Sequence, residues 1–210
     1  MFCDVIMPDG QPSLIDPRHI LRRQVQAVAA DGFTCMASPE IEFFLLKQTE
    51  DLENLQPTDN GGYFDQATHN DVPLFRREAI LALESMGIAT EFSHHETAPG
   101  QQEIDLRHAD VMSMADNIMT FRYIIKQVAV RQGVSATFMP KPFEQWSGSG
   151  MHTHLSLFEG ESNAFHDPDD EFSLSETAKQ FIAGILEHAP EFTAITNQWS
   201  NSYKRLQFGN

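Results

Sequence analysis

The most constraining feature of the sequence is residues 40–46, Glu-Ile-Glu-Phe-Phe-Leu-Leu, in which two carboxylates precede four large apolar residues. In a β-strand, residues two apart point to the same face, so Glu40 and Glu42 would stand side by side. Two adjacent carboxylates beside apolar neighbours are unfavourable unless a cation neutralises them or a proton binds. The alternative is an ordinary solvated sheet face, which the apolar residues that follow disfavour. The run therefore predicts a strand that carries metal ligands.

The rest of the chain mixes helical and strand periodicities without a regular β-α-β alternation. Asp16 predicts the N-cap of a first helix, and Ser173 with Glu176 forms the capping-box pattern of a last one. We expect one α+β domain over residues 1–210, with a mainly antiparallel sheet flanked by helices. Helices are predicted at residues 17–31, 72–86, 109–132 and 173–188, and strands at residues 33–46, 88–93, 101–106, 134–139 and 150–158.

The charge balance narrows the classes of partner. The chain has 14 basic and 30 acidic residues, a net charge of −16. Nucleic acid and anionic membrane surfaces need a positive footprint, so we expect neither as a partner. Metal ions, ammonium and organic amines remain compatible, although acidity can also serve only to keep a protein in solution. No apolar run approaches the ~20 residues that span a bilayer. With two cysteines and no secretory pattern at the start, a reduced, cytoplasmic chain is expected.

A second candidate segment is residues 93–105, where two histidines and Glu96 precede a Pro-Gly pair and Glu103 follows it. A turn at the Pro-Gly pair would bring Glu96 and Glu103 together, with His94 and His95 beside them. An ordinary polar hairpin is the alternative interpretation of this segment.

A third candidate begins at the Gly-Ser-Gly run of residues 148–150. Such a loop exposes backbone N–H groups and allows a ligand to approach closely. The strand that follows would point His152, His154 and Ser156 to one face, and His-x-His is a common metal-ligand spacing. The same spacing also occurs where histidines are simply hydrogen-bonded.

Together the three segments suggest one site rich in oxygen ligands, which favours Mg²⁺ or Mn²⁺. The carboxylates and imidazoles of these segments outnumber the four ligands of a single tetrahedral site, so two or more ions are expected. Several hard cations beside a glycine loop suit phosphoryl transfer. The sequence contains neither a Walker A motif nor Gly-x-Gly-x-x-Gly, so a nucleotide site of the P-loop or Rossmann type is not expected.

Five motifs resemble type I glutamine synthetases and follow one another in the family's order. They are the three segments above, Phe-Met-Pro-Lys-Pro at residues 138–142 and Asn-Ser-Tyr-Lys-Arg-Leu at residues 201–206. The resemblance implies an ATP-dependent ligase that needs Mg²⁺ or Mn²⁺. Glutamate would attack ATP to give γ-glutamyl phosphate, and an amine would then displace phosphate. It also implies a homo-oligomeric ring of subunits.

The resemblance implies roles for individual residues. One divalent ion would be bound by Glu42, Glu96 and Glu103. A second, beside the nucleotide phosphates, would be bound by Glu40 and His152. Glu96 and Arg205 would be the catalytic residues. Substrate would contact Gly148, Arg205 and, near the ammonium pocket, Tyr63, while nucleotide would contact His154 and Ser156.

The sequence departs from the family pattern at three places. The family's N-terminal β-grasp domain is not present, and the signature after Leu206 reads Gln-Phe-Gly-Asn and stops. We therefore expect residues 1–210 to be a catalytic domain incomplete at its C-terminus and inactive alone. Ser147 stands where the family usually has Asn, and Phe-Glu-Gln-Trp at residues 143–146 precedes it. Together with the acidic loops, this is similar to the actinobacterial branch that joins glutamate to polyamines. Neutral drift among ordinary glutamine synthetases is the alternative.

Two other classes remain open. A non-catalytic relative with a structural or regulatory role would be expected to have lost several of these candidate ligands. A metal-dependent hydrolase or dioxygenase built on His-x-His would leave the Lys204-Arg205 pair and the glycine loop without a role.

Overall fold

A computed structural model of the protein describes residues 1–51, 53–66 and 72–207. The helices are α1 (Pro17–Ala30), α2 (Val72–Ser85), α3 (Val111–Arg131), α4 (Glu176–Thr196) and α5 (Ser200–Arg205). The strands are β1 (Thr34–Lys47), β2 (Thr90–His95), β3 (Gln101–Leu106), β4 (Ala109–Asp110), β5 (Val134–Thr137), β6 (Met151–Glu159) and β7 (Ser162–Asn163).

The strands form one seven-stranded sheet in the order β2-β3-β1-β6-β7, and β4 and β5 also pair with β1. The pairs of β1 with β3, β4 and β5, of β2 with β3, and of β6 with β7 are antiparallel. This confirms the expected α+β fold class with a mainly antiparallel sheet. No helix in the described ranges is both long and apolar enough to cross a membrane.

The described chain divides into two compact units. The first contains residues 1–38, 108–118 and 154–190. Asp16 caps α1, as predicted, because one carboxylate oxygen accepts from the Arg18 amide at 3.1 Å and the other from the Val5 amide at 3.1 Å. The Arg18 guanidinium donates to both oxygens of Asp116 at 2.8 and 2.9 Å, which joins α1 to the start of α3.

The second unit contains residues 39–107, 119–153 and 191–210, of which residues 52, 67–71 and 208–210 lie outside the described ranges. Its core is built on the apolar half of β1, as the sequence predicts. Phe43 is fully buried and lies 6.0 Å from the Phe75 ring, 6.2 Å from Phe121 and 5.6 Å from Phe138, measured between ring centroids. The opposite face of the same strand is left to carry the carboxylates.

Most element boundaries differ from the sequence prediction by one or two residues, and residues 109–110, predicted as the start of a helix, form β4. β2 begins two residues later and includes both of its histidines. α4 continues through Pro190 instead of ending at residue 188, because one proline removes a single helical hydrogen bond and the neighbouring turns remain. The cap of α4 is Ser175, whose hydroxyl accepts from the Ala178 amide at 3.1 Å, and not Ser173, which has a left-handed φ of 57°. The sequence did not predict β4, β7 or α5.

Candidate active site

The register of three neighbouring strands places acidic and imidazole side chains in one row. Glu42 on β1 is directly opposite Glu103 on β3, and Glu103 is opposite His94 on β2. Glu40 is opposite Asp105 one step along the same strands. Because directly paired residues and residues two apart share a face, all five side chains lie on one side of the sheet.

The β2–β3 turn adds Glu96 to this row. His94 Nε2 lies 3.1 Å from Glu103 Oε1, and His94 Nδ1 lies 3.6 Å from Glu96 Oε1. The ligand atoms of these three residues all lie within 4.8 Å of one another. The turn therefore does bring Glu96 and Glu103 together, as the Pro-Gly pair predicts.

Gly100 is required in that turn for two reasons. Its φ is +71°, a conformation that L side chains rarely adopt. A Cβ atom at this position would also lie 2.7 Å from the carbonyl oxygen of Leu45. The close approach of the turn to β1 thus depends on glycine.

The Gly-Ser-Gly loop and β6 complete the cluster from the other side of β1. The Gly150 amide donates to Glu42 Oε2 at 3.0 Å. His152 Nδ1 lies 3.2 Å from Glu40 Oε2 and 3.7 Å from Glu42 Oε1. Arg205 Nη2 donates toward His152 Nε2 at 3.5 Å, so a guanidinium lies at the edge of the acidic row.

α5 brings Arg205 to this position, and Asn201 holds α5 in place. The Asn201 side chain accepts from the Lys141 amide at 2.7 Å and donates to the Lys141 carbonyl at 2.9 Å. A Cβ at Gly148 would lie 2.9 Å from Arg205 Cγ and 2.3 Å from the Pro140 carbonyl oxygen. The glycine loop is therefore what lets the arginine lie so close to the backbone.

Electrostatics inside the row favour a proton or a cation. Burial, together with the charges of Asp105, Glu42 and nearby carboxylates, raises the pKa of Glu103 to about 8. Burial also raises the pKa of Glu42, although the Gly150 amide opposes this shift. Carboxylates crowded in this way, with an imidazole among them, are a donor set that suits hard divalent ions such as Mg²⁺ and Mn²⁺. The residues present therefore fit a metal ion.

The family model described as "Glutamine synthetase, catalytic domain" matches residues 14–210 of this chain. The chain belongs to the glutamine synthetase family. A glutamine synthetase of Mycolicibacterium smegmatis is 66% identical over 210 residues, which is 100% of this chain and 47% of that protein. One from Thermus thermophilus is 49% identical over 211 residues, covering 100% of this chain and 47% of its own length.

The fold agrees with a solved member of the family. The cryo-EM structure of Plasmodium falciparum glutamine synthetase matches with a TM-score of 0.88 at 28% identity, covering 99% of this chain and 47% of that one. The chain thus spans about half the length of the glutamine synthetases that it matches.

The structure brings together most residues that sequence analysis assigned to the site. Glu40, Glu42, Glu96, Glu103 and His152 belong to the acidic row, and Gly148 and Arg205 lie against it. Tyr63 is near its β2 end, with its ring 5.3 Å from the His94 ring. His154 and Ser156 lie further along β6, in the first compact unit. Their contacts with nucleotide stay a prediction. The departure after Leu206 falls partly on residues 208–210, outside the described range.

Sequence analysis gave no role to two residues of the row. His94 was noted only as an imidazole beside the carboxylates, yet its ring contacts both Glu96 and Glu103. It is also stacked against Phe64, with centroids 4.4 Å apart and planes 12° from parallel. Asp105 lies two residues after Glu103, and this spacing was the signal that could have placed it on the same face.

Proposed function

We propose that this chain provides the metal- and glutamate-binding part of an ATP-dependent ligase that joins the γ-carboxylate of glutamate to an amine. The observation that carries the proposal is the continuous row from His94 through Glu103 and Glu42 to His152, with Arg205 at its end. Membership of the glutamine synthetase family supports it independently.

Two divalent ions, Mg²⁺ or Mn²⁺, would share the row. Glu42, Glu96 and Glu103 would hold the first ion, and Glu40 and His152 the second. When bound, the ions would offset negative charge on the phosphate oxygens of ATP. The raised pKa of Glu103 fits this assignment, because a cation is the natural replacement for the proton that the crowded carboxylates favour.

Glutamate would bind at the glycine loop. The Arg205 guanidinium has the planar, forked geometry that pairs with a carboxylate, and the loop at Gly148 leaves space for close approach. The amine would enter beside Tyr63, where Glu96 could bind a cationic amine and accept its proton. His154 and Ser156 would contact the nucleotide.

We propose ammonia as the amine. The relatives described above are named glutamine synthetases, at up to 66% identity. The polyamine alternative was based on Ser147 and the preceding segment, but Phe143 of that segment packs in the core. Its ring lies 5.6 Å from Phe44 and 4.7 Å from Trp146. Ser147 and the acidic loops therefore support a polyamine as the second candidate.

The remaining proposals concern the whole protein. We propose that it assembles as a homo-oligomeric ring in the cytoplasm, and that residues 1–210 are a partial catalytic domain. Light scattering on the chain extended to the length of its relatives would measure the oligomeric state, and a monomer would refute the ring.

The activity test is ADP release by the same extended chain with glutamate, ATP, Mg²⁺ and a panel of amines. Release with ammonium supports glutamine synthesis, and release only with putrescine or spermine supports the polyamine candidate. No release with any amine would favour the non-catalytic alternative. Residues 1–210 alone should be inactive, so γ-glutamyl transfer by them would contradict that expectation.

A further inference from the structure

Gln101, the first residue of β3, is fully buried beside the acidic row. Its side-chain Nε2 lies 3.0 Å from Glu42 Oε2, 3.2 Å from the Gly148 carbonyl oxygen and 3.3 Å from Ser149 Oγ. Its Oε1 accepts from the Ala98 amide at 3.2 Å. One amide group thus contacts a candidate metal ligand, the candidate glutamate loop and the β2–β3 turn.

The main chain of Gln101 adds a further connection. The Glu96 amide donates to the Gln101 carbonyl at 2.8 Å, and the Gln101 amide donates to the Ala98 carbonyl at 2.9 Å. The residue therefore also holds the turn that presents Glu96 to the row.

The contacts at Glu42 show how the side chain acts on the carboxylate. Both the Gln101 amide and the Gly150 backbone amide donate to the same oxygen, Oε2. Two donors on one oxygen restrict rotation of the carboxylate and leave Oε1 directed toward His152, 3.7 Å away. A buried amide cannot rotate away from these partners without leaving polar groups unpaired.

We propose that Gln101 is a positioning residue that couples the Glu42 carboxylate to the loop at residues 148–150. Metal binding at Glu42 and glutamate binding at Gly148 then both require the Gln101 side-chain amide to keep its hydrogen bonds to Glu42 and to the Gly148 carbonyl. The inference rests on the proposed function, because it assigns a metal ion to Glu42 and glutamate to the loop. Hydrogen-bond partners of metal ligands typically change metal affinity by roughly 10–100-fold when they are removed.

A purely structural role for Gln101 is the competing explanation, and the next residue provides a matched control. Gln102 is also fully buried, and it points to the opposite face of β3. Its Oε1 accepts from the Arg76 guanidinium. Gln101→Met and Gln102→Met each remove a buried amide of similar size from adjacent positions, but only the first removes a contact with Glu42.

The test is calorimetric titration of the 210-residue chain and both variants with Mn²⁺ alone. Gln101→Met should weaken Mn²⁺ binding by roughly 10–100-fold. Gln102→Met should leave the Mn²⁺ affinity within about twofold of the wild type, even if the two variants lower the melting temperature equally. Equal affinities in wild type and Gln101→Met, or an equal loss in both variants, would overturn the inference. Failure of the wild-type chain to bind Mn²⁺ would refute the proposed metal site itself, which is a distinct outcome.

Hydrogen exchange at the Gly150 amide reports the coupling directly, because this N–H donates to Glu42. Mn²⁺ should slow its exchange in the wild type and in Gln102→Met, and should have little effect in Gln101→Met. Slowing by Mn²⁺ to the same extent in all three proteins would show that Gln101 does not link the two sites, whatever it contributes to stability.

Discussion

The buried carboxylate of Asp59 holds residues 59–61 against the β2–β3 turn, and its removal should destabilise the protein strongly. Asp59 Oδ1 accepts from the Gly61 amide at 2.8 Å, from the Gly100 amide at 2.9 Å and from His95 Nε2 at 2.9 Å. The side chains of His95 and Asp59 are only 4% and 2% exposed. Asp59→Ala would leave three donors without this partner.

The magnitude follows from these contacts. Hydrogen bonds to charged groups each contribute about 1.5–3 kcal/mol, but three bonds that share one oxygen are not additive. Breaking a buried ion pair by removing one partner costs about 3–5 kcal/mol, and we expect Asp59→Ala to fall in that range. With a denaturant dependence of about 2–3 kcal/mol per molar urea, the unfolding midpoint should fall by roughly 1–2.5 M.

The effect should depend on pH in a defined direction. Burial opposes the charge on Asp59, but the bonds from His95 and the two glycine amides outweigh it and lower its pKa below 3.8. Burial likewise opposes a charged His95, but the bond to Asp59 outweighs it and raises the pKa above 6.5. The Asp59 contribution is present above pH 3.8 and is lost as pH falls through its lower folded pKa. The His95 contribution is present below pH 6.5 and is lost as pH rises through its higher folded pKa.

The assay is urea unfolding of wild type and Asp59→Ala at a series of pH values, with exposed Asp65→Ala as the control. The difference between wild type and Asp59→Ala should be largest between pH 3.8 and 6.5 and should shrink on either side. A difference below about 1 kcal/mol at pH 6, or one that does not change with pH, would refute the buried ion pair.

Three further substitutions test the core and the site. Gly148→Ala places a Cβ 2.3 Å from the Pro140 carbonyl oxygen, so glutamate binding should be lost, and Mn²⁺ binding should weaken because the displaced loop also carries contacts to Gln101 and Glu42; calorimetry showing both unchanged would contradict this. Phe43→Ala removes a fully buried ring and should lower the free energy of unfolding by about 3–5 kcal/mol, and a loss under 1 kcal/mol would place the residue outside the core. In chelator, the wild-type chain should lose stability as pH rises from 4.5 toward 8, because folded Glu103 keeps its proton longer than the unfolded residue. Glu103→Gln should lose less stability over this range, and the remaining loss should come from the raised pKa values of Glu42 and His95. Melting curves at pH 4.5 and pH 8 that show an equal loss in both proteins would contradict this.

Local patterns were sufficient for most elements of the fold. The alternation around Glu40 and Glu42 and the apolar residues after it predicted β1 and the separation of its two faces. Asp16 predicted the start of α1, because an N-cap depends only on residues within one helical turn. Such features require no knowledge of distant residues. The end of α4 and the presence of β4, β7 and α5 were missed, since helices near prolines, two-residue strands and short helices depend on their packing more than on their own sequence.

The candidate site likewise combines features that the sequence predicted with features that only the tertiary structure decided. The sequence determined which side chains share a face of each strand, and the resemblance of its motifs to glutamine synthetases suggested their roles. Only the tertiary structure decided that Glu103 lies between Glu42 and His94, that burial there raises its pKa, and that Gln101 joins this row to the glycine loop. Strand register and burial arise from contacts between residues far apart in the chain, which local spacing does not encode.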